Sequence, residues 1–248
     1  MDEAGRQRPG PRIDRPSVTS EGPGRPASGT GDGSLAIIFD FDGVIVDSET
    51  PEFESHRHLF IRHGVELTRD EWSASVGLWK AVDWLDVLST RSGRPVSEKA
   101  FLAEKRKLSR GFLRMEALPG IVALLDDLAA NAVPAAVAST SPAGWVLEAA
   151  DALGLRHRFH AFVTGDQVAR RKPAPDVYLA AADRLNVAPG RCVAIEDTGP
   201  GLAAAKAAGM RAVVVPHWLT ENHDFSDADL RVGSVQELSL ARLRALLD

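Results

Sequence analysis

The stretch LAIIFDFDGVIVDSE, Leu35 to Glu49, decides the fold. Its first five residues are a short apolar run of the kind that forms a strand buried on both faces. Asp40 and Asp42 then stand two residues apart where that strand must end. Four further apolar runs follow along the chain, VPAAVAS, AFVTG, CVAIED and RAVVVP, with helix-like segments between them. Such alternation predicts an α/β fold, a Rossmann-like parallel sheet with helices on both faces. Helix boundaries are marked as well. Pro119 precedes IVALLDDLAA, Ser141 and Pro142 precede AGWVLEAADAL, and Gly209 follows GLAAAKAA.

One region breaks the alternation. Residues 50–117 carry helical patterns (EFESHRHLFIRHG, TRDEWSASV, AVDWLDVLSTR, SEKAFLAEKRKLSRGFL) and no convincing strand, which predicts a helical insertion after the first strand. The α/β core is then 35–49 with 118–248. Residues 1–34 are rich in Pro, Gly, Ser and Arg and too poor in apolar side chains to offset chain entropy, so they are expected to be a disordered tail without chemistry.

Composition narrows the function classes. The 248 residues, 44% hydrophobic, suffice for a sizeable core and a small second unit. The net charge of −5 offers no basic face for nucleic acid, and the tail's five arginines cancel its five acidic residues. No apolar stretch approaches the ~18 residues of a membrane span, and the N-terminus lacks a secretory apolar segment. The single cysteine, Cys192, lies in an apolar run and reads as a core thiol in a reducing compartment. A cytoplasmic protein acting on neither nucleic acid nor membrane is expected.

In open parallel sheets, ligands bind beyond the carboxyl ends of the strands. The polar residues at the predicted strand ends form one set: Asp40 and Asp42; Ser139, Thr140 and Ser141; Lys172 after GDQVARR; and Glu196 with Asp197. Each has a bland reading alone, as a turn cap, a helix N-cap or a solvated lysine. Together they gather four carboxylates that would repel one another without a cation, and a hard, oxygen-seeking ion such as Mg²⁺ is the natural neutraliser. A helix start, two hydroxyls and an ammonium make a pocket for a tetrahedral anion. A cation beside a phosphate pocket, with one carboxylate to attack phosphorus and one to handle a proton, describes phosphoryl transfer through an aspartyl-phosphate.

These motifs resemble those of the haloacid dehalogenase (HAD) superfamily, in the branch of beta-phosphoglucomutase and sugar-phosphate phosphatases. DFDGVIVDSE resembles the first motif, AST the second, the lysine of RRKPAPD the third and IEDTGPG the fourth, over roughly Leu35 to Val215. The resemblance implies that Asp40 is the nucleophile and Asp42 the general acid and base. Ser139, Thr140 and Lys172 would hold the phosphoryl oxygens, with Gly43 as a further contact. Mg²⁺ would be bound by Asp40, the Asp42 carbonyl and Asp197, with Glu196 ligating directly or through water. The insertion at 50–117 would be the helical cap of subfamily I.

Asp42 separates phosphatases and mutases from true dehalogenases, which lack an acid there. Related mutases carry a histidine on the first cap helix where this chain has Glu52, with His56 one turn later; the departure favours hydrolysis, and a phosphosugar mutase is the alternative. SVGLWKAVDWL resembles the specificity loop, which would bring Trp79 and Lys80 to the leaving group, although Trp79 and Trp84 also read as cap core. One of Lys105, Arg106 and Lys107 is expected to face the cleft. His217, Trp218 and Phe225 either line it or pack their loop. The expected protein is a monomeric, Mg²⁺-dependent phosphatase of a small phosphomonoester.

Overall fold

The computed structural model describes residues 35–78 and 82–248. Six parallel strands stand in the order β3-β2-β1-β4-β5-β6: β1 (Ala36–Phe39), β2 (Ala135–Ala138), β3 (Ala161–Val163), β4 (Cys192–Glu196), β5 (Arg211–Val214) and β6 (Leu230–Arg231). Five correspond to the apolar runs. The sixth pairs beside Val213 and Val214 but is two residues long and sits in the polar sequence DADLRVG, so it carries no run by which to predict it.

The two-residue side-chain period divides each strand between two cores. Ile37, Phe39, Val137, Val193, Ile195 and Val213 face one side, against α5 (Ile121–Ala130), α6 (Ala143–Ala152) and α9 (Leu240–Arg244). Ala36, Ile38, Ala136, Ala138, Cys192, Ala194 and Ala212 face the other, against α7 (Asp176–Leu185) and α8 (Gly199–Ala207). The second face is built mainly of alanine, so its helices can lie close to the sheet. Tyr178 of α7 is fully buried there. Cys192 is buried too, and burial pushes its thiol up to about 12, as expected of an inert core cysteine.

Between β1 and α5 the chain forms α1 (Glu49–Arg62), α2 (Arg69–Ser73), α3 (Trp84–Ser92) and α4 (Glu98–Phe112). Their apolar faces meet in a third cluster of Phe53, Leu59, Phe60, Leu67, Trp72, Val76, Leu88 and Phe101. Trp72 and Trp84 stack with ring centroids 5.2 Å apart. His56 is packed into the same aromatic group, its Nδ1 bonded to the Glu52 carbonyl, so it is a core histidine. The outgoing and returning chain segments run side by side, Leu118 N donating to Ile45 O at 2.8 Å.

A loop after β5 ties this helical unit to the sheet. Leu219 enters the helical cluster. Trp218 donates its indole N–H to Thr50 Oγ1 at 2.8 Å, and His217 lies 3.3 Å from Asp47. Phe225 packs on the alanine-rich core. All three serve the loop and its junction. Among the described residues, no helix is long and apolar enough to cross a membrane.

Leu88 is fully enclosed in the helical cluster, so Leu88→Ala is expected to cost about 2–5 kcal/mol, measured by denaturant unfolding.

Candidate active site

The strand order puts β1 at the centre, flanked by β2 and β4, so the ends of these three strands converge. Asp40 leaves β1 with its N–H on Ile195 O at 2.9 Å. The turn after it closes tightly, Ile45 N on Phe41 O and Gly43 N on Val46 O. Glu196 ends β4, Asp197 follows, and Thr198 caps α8 by accepting from Gly201 N.

Lys172 joins these parts. It is 3% exposed, and its ammonium lies 2.7 Å from Asp40 Oδ1 and 2.6 Å from Glu196 Oε1. Burial alone would depress the ammonium, but Asp40 and then Glu196 outweigh it and hold Lys172 above its usual range. An ammonium has three N–H groups, and these two carboxylates account for two of them.

Glu196 differs from its acidic neighbours. Its Oε1 also accepts from Tyr178 OH at 2.6 Å, and its Oε2 accepts from Asp197 N, Thr198 N and Thr198 Oγ1. Both oxygens are therefore already supplied with donors, and the side chain anchors Lys172. Both carboxylate oxygens of Asp197, by contrast, are buried without a hydrogen-bond partner.

Candidate ligand atoms of Asp40, Glu196 and Asp197 all lie within 4.8 Å of one another. Burial pushes Asp40 up to about 7 despite Lys172, and burial, with the charges of Asp40 and Glu196, pushes Asp197 well above the carboxylate range. Such a group suits a hard divalent cation, and the orphaned oxygens of Asp197 are where it is needed. Of the carboxylates expected around the cation, Glu196 is the one whose lone pairs are already taken.

Gly43 has another part from the one expected. Its N–H is committed to Val46 O, so it does not face a phosphate. At φ +81°, a Cβ there would sit 2.1 Å from Asp197 Oδ2, so the missing side chain makes room for the carboxylate.

Asp40, Asp42, Ser139, Thr140, Ser141, Lys172, Asp197 and Thr198 line a small cavity of about 60 Å³. Asp42 and Ser141 also line an adjoining cleft of about 640 Å³ between the helical unit and the sheet. Lys105 and Arg106 line that cleft, whereas Lys107 does not. Glu52 lines it too, clamped by Lys105 at 2.6 Å and by Ser109 Oγ at 3.0 Å. Lys80 and Trp79 lie outside the described residues.

Sequence reasoning missed three contributors. Tyr178 is the chain's single tyrosine, and only the packing of α7 brings it to Glu196. Glu49, inside the opening stretch, borders both cavities; burial, then Asp42, pushes it up to about 7. Trp145, in a segment read only as helix, donates to Asp42 Oδ1 at 2.8 Å.

Two measurements check the cation site. A raised carboxyl stabilises the metal-free fold below its ordinary value near 3.8, and that contribution is lost as pH rises through about 7. Mg²⁺ is therefore expected to raise Tm more at about pH 7.5 than at about pH 5, read by thermal scans. Gly43→Ala is expected to abolish that rise by displacing Asp197.

A model of the haloacid dehalogenase-like hydrolase family matches residues 37–215. YhcW of Bacillus subtilis, a putative phosphatase by its name, is 36% identical over 211 residues, covering 84% of this chain and 95% of its own. The phosphorylated carbohydrates phosphatase of Thermotoga maritima is 30% identical, covering 78% and 90%. The crystal structure of CbbY from Rhodobacter sphaeroides in complex with phosphate superposes with a TM-score of 0.68 at 29% identity, covering 85% of this chain and 99% of that one. With its aspartate pair, buried lysine and acidic cluster at the ends of the central strands, the chain belongs to the haloacid dehalogenase-like hydrolase family and is one of its phosphatases.

Proposed function

We propose that this protein is a Mg²⁺-dependent phosphatase of a small phosphorylated carbohydrate and works through an aspartyl-phosphate at Asp40. The observation that carries the reading is the position of Asp42, which borders both the small cavity holding Asp40 and Lys172 and the larger cleft beside it. A phosphomonoester with its phosphoryl group in the first and its organic group in the second would place the breaking P–O bond beside Asp42.

In the first half-reaction the Asp40 carboxylate bonds to phosphorus, the P–O bond to the organic group breaks, and the departing oxygen takes a proton from Asp42. In the second, Asp42 takes a proton from water, the water oxygen bonds to phosphorus, and the bond to Asp40 breaks to release inorganic phosphate. Ser139, the Thr140 backbone and the remaining N–H of Lys172 hold the phosphoryl oxygens. A Mg²⁺ held by Asp40, Asp197 and the Asp42 carbonyl, with Glu196 at the edge of the set, would neutralise phosphoryl charge.

The cleft's lining supports a polyhydroxylated substrate. Glu49, Glu52 and Ser109 offer acceptors, Lys105, Arg106 and Arg110 offer donors, and Trp145 offers a ring. The Thermotoga relative's name points the same way. Lys80 is carried as a further contact from the cap loop. Glu52, neutralised by Lys105, is a poor proton relay in the place where related mutases carry histidine, and this favours hydrolysis. The site needs residues of one chain alone, so a monomer acting on a cytoplasmic metabolite is the assembly we propose.

A phosphorus NMR time course with Mg²⁺ tests the reading, using sugar phosphates, sugar-alcohol phosphates, nucleotides, flavin mononucleotide and beta-glucose 1-phosphate. Inorganic phosphate is expected from wild type and none from Asp40→Asn; Asp42→Asn should be slower by ~10²- to 10⁴-fold with Mg²⁺ binding retained. A glucose 6-phosphate signal growing in place of inorganic phosphate would make the protein a mutase.

A further inference from the structure

The Asp42 carboxylate is held by four donors of two chemical kinds. Oδ1 accepts from Ser48 Oγ at 2.6 Å and from Trp145 Nε1 at 2.8 Å. Oδ2 accepts from Ser141 Oγ at 2.6 Å and from Ser139 Oγ at 3.5 Å. A hydroxyl can rotate to donate or accept, whereas an indole N–H only donates. The three serines can follow Asp42 through a change of protonation. Trp145 cannot.

The donors also lie on different sides. Ser139 borders the small cavity, where Lys172 and Asp40 are, and Ser141 borders both cavities; Ser48 and Trp145 border only the larger cleft, and Trp145 packs against the core beneath α6. If Oδ1 carried the proton, Ser48 could accept it, but the indole N–H would be left with the poorer acceptor, the hydroxyl oxygen of the acid. The proton is therefore favoured on Oδ2, where both partners, Ser141 and Ser139, are hydroxyls that can turn to accept.

We propose that Trp145 is a positioning residue for the proton transfer. Its indole N–H favours the unprotonated form of Asp42 Oδ1 and so directs the proton-bearing Oδ2 toward the bond that breaks. Nothing else in the mechanism uses this N–H. The inference rests on the reading of Asp42 as the proton donor.

The test compares two leaving groups. Nitrophenolate departs as a stable anion and needs no proton, whereas the alkoxide of a sugar or sugar alcohol does. Phosphoenzyme formation in the first turnover is followed by rapid quench, with p-nitrophenyl phosphate and with whichever sugar or sugar-alcohol phosphate of the panel above turns over fastest. Trp145→Phe, which keeps an aromatic plate but no N–H, is expected to slow the sugar ester by about 10- to 100-fold at unchanged KM and the nitrophenyl ester by less than about twofold. Trp145→Gln, which restores an N–H donor on a smaller side chain, is expected to recover part of the loss despite poorer packing. It also serves as the second variant should Phe fail to fold. Equal slowing of both esters, or of neither, would reduce Trp145 to packing. Asp42→Asn run in parallel separates the levels. If it discriminates between the esters and Trp145→Phe does not, only the role of Trp145 falls; if it does not discriminate, the donor reading of Asp42 fails and the inference with it.

Discussion

The ammonium of Lys172, buried between Asp40 and Glu196, is the interaction on which the rest of the site depends. Three carboxylates stand within a few ångströms of one another, and Lys172 is the cation among them. Removing one partner of such a buried pair typically costs ~3–5 kcal/mol, because the other charge is left uncompensated. The sequence obeys several constraints for its sake. Gly201 stands where a Cβ would lie 2.0 Å from the Glu196 carboxylate, and Gly43 leaves the same kind of room beside Asp197. Glu196 spends its lone pairs on the lysine, a tyrosine and the first turn of α8, so the anchor is rigid before any ligand arrives.

Packing supplies the rest of the anchor. The alanines of β1 and β2 let α7 approach the sheet closely enough for Tyr178 to reach Glu196 from within the core. Larger residues fill the opposite face, where α5, α6 and α9 pack. The site thus draws on one face for the rigidity of its charges and on the other, through Trp145 of α6, for the orientation of Asp42. The loop after β5 then fastens the helical unit over the strand ends through Leu219, Trp218 and His223, whose Nε2 meets Ser73 O at 2.9 Å.

Residues that end a strand were legible in the sequence, because an apolar run followed by an unexpected charge or hydroxyl is a local signal: Asp40, Ser139 and the Glu196–Asp197 pair are of this kind. Lys172 was legible by its order among them. What stayed hidden depends on contacts across the chain. Tyr178 stands inside α7, and no spacing rule links a helix interior to the end of a strand. Trp145 likewise looks like ordinary helix until α6 is docked. The division of labour between Glu196 and Asp197 could not be read either, since adjacent carboxylates look alike until their donors are known. β6 failed for a simpler reason, being too short to bear a pattern.

The most direct test of the central claim is to trap the intermediate. Protein quenched during turnover of a sugar phosphate is reduced with borohydride, which converts an aspartyl-phosphate to homoserine, and the position is located by mass spectrometry. Homoserine at residue 40, dependent on substrate, is the predicted result. Substrate turnover with no homoserine, or with it at another carboxylate, would contradict the account.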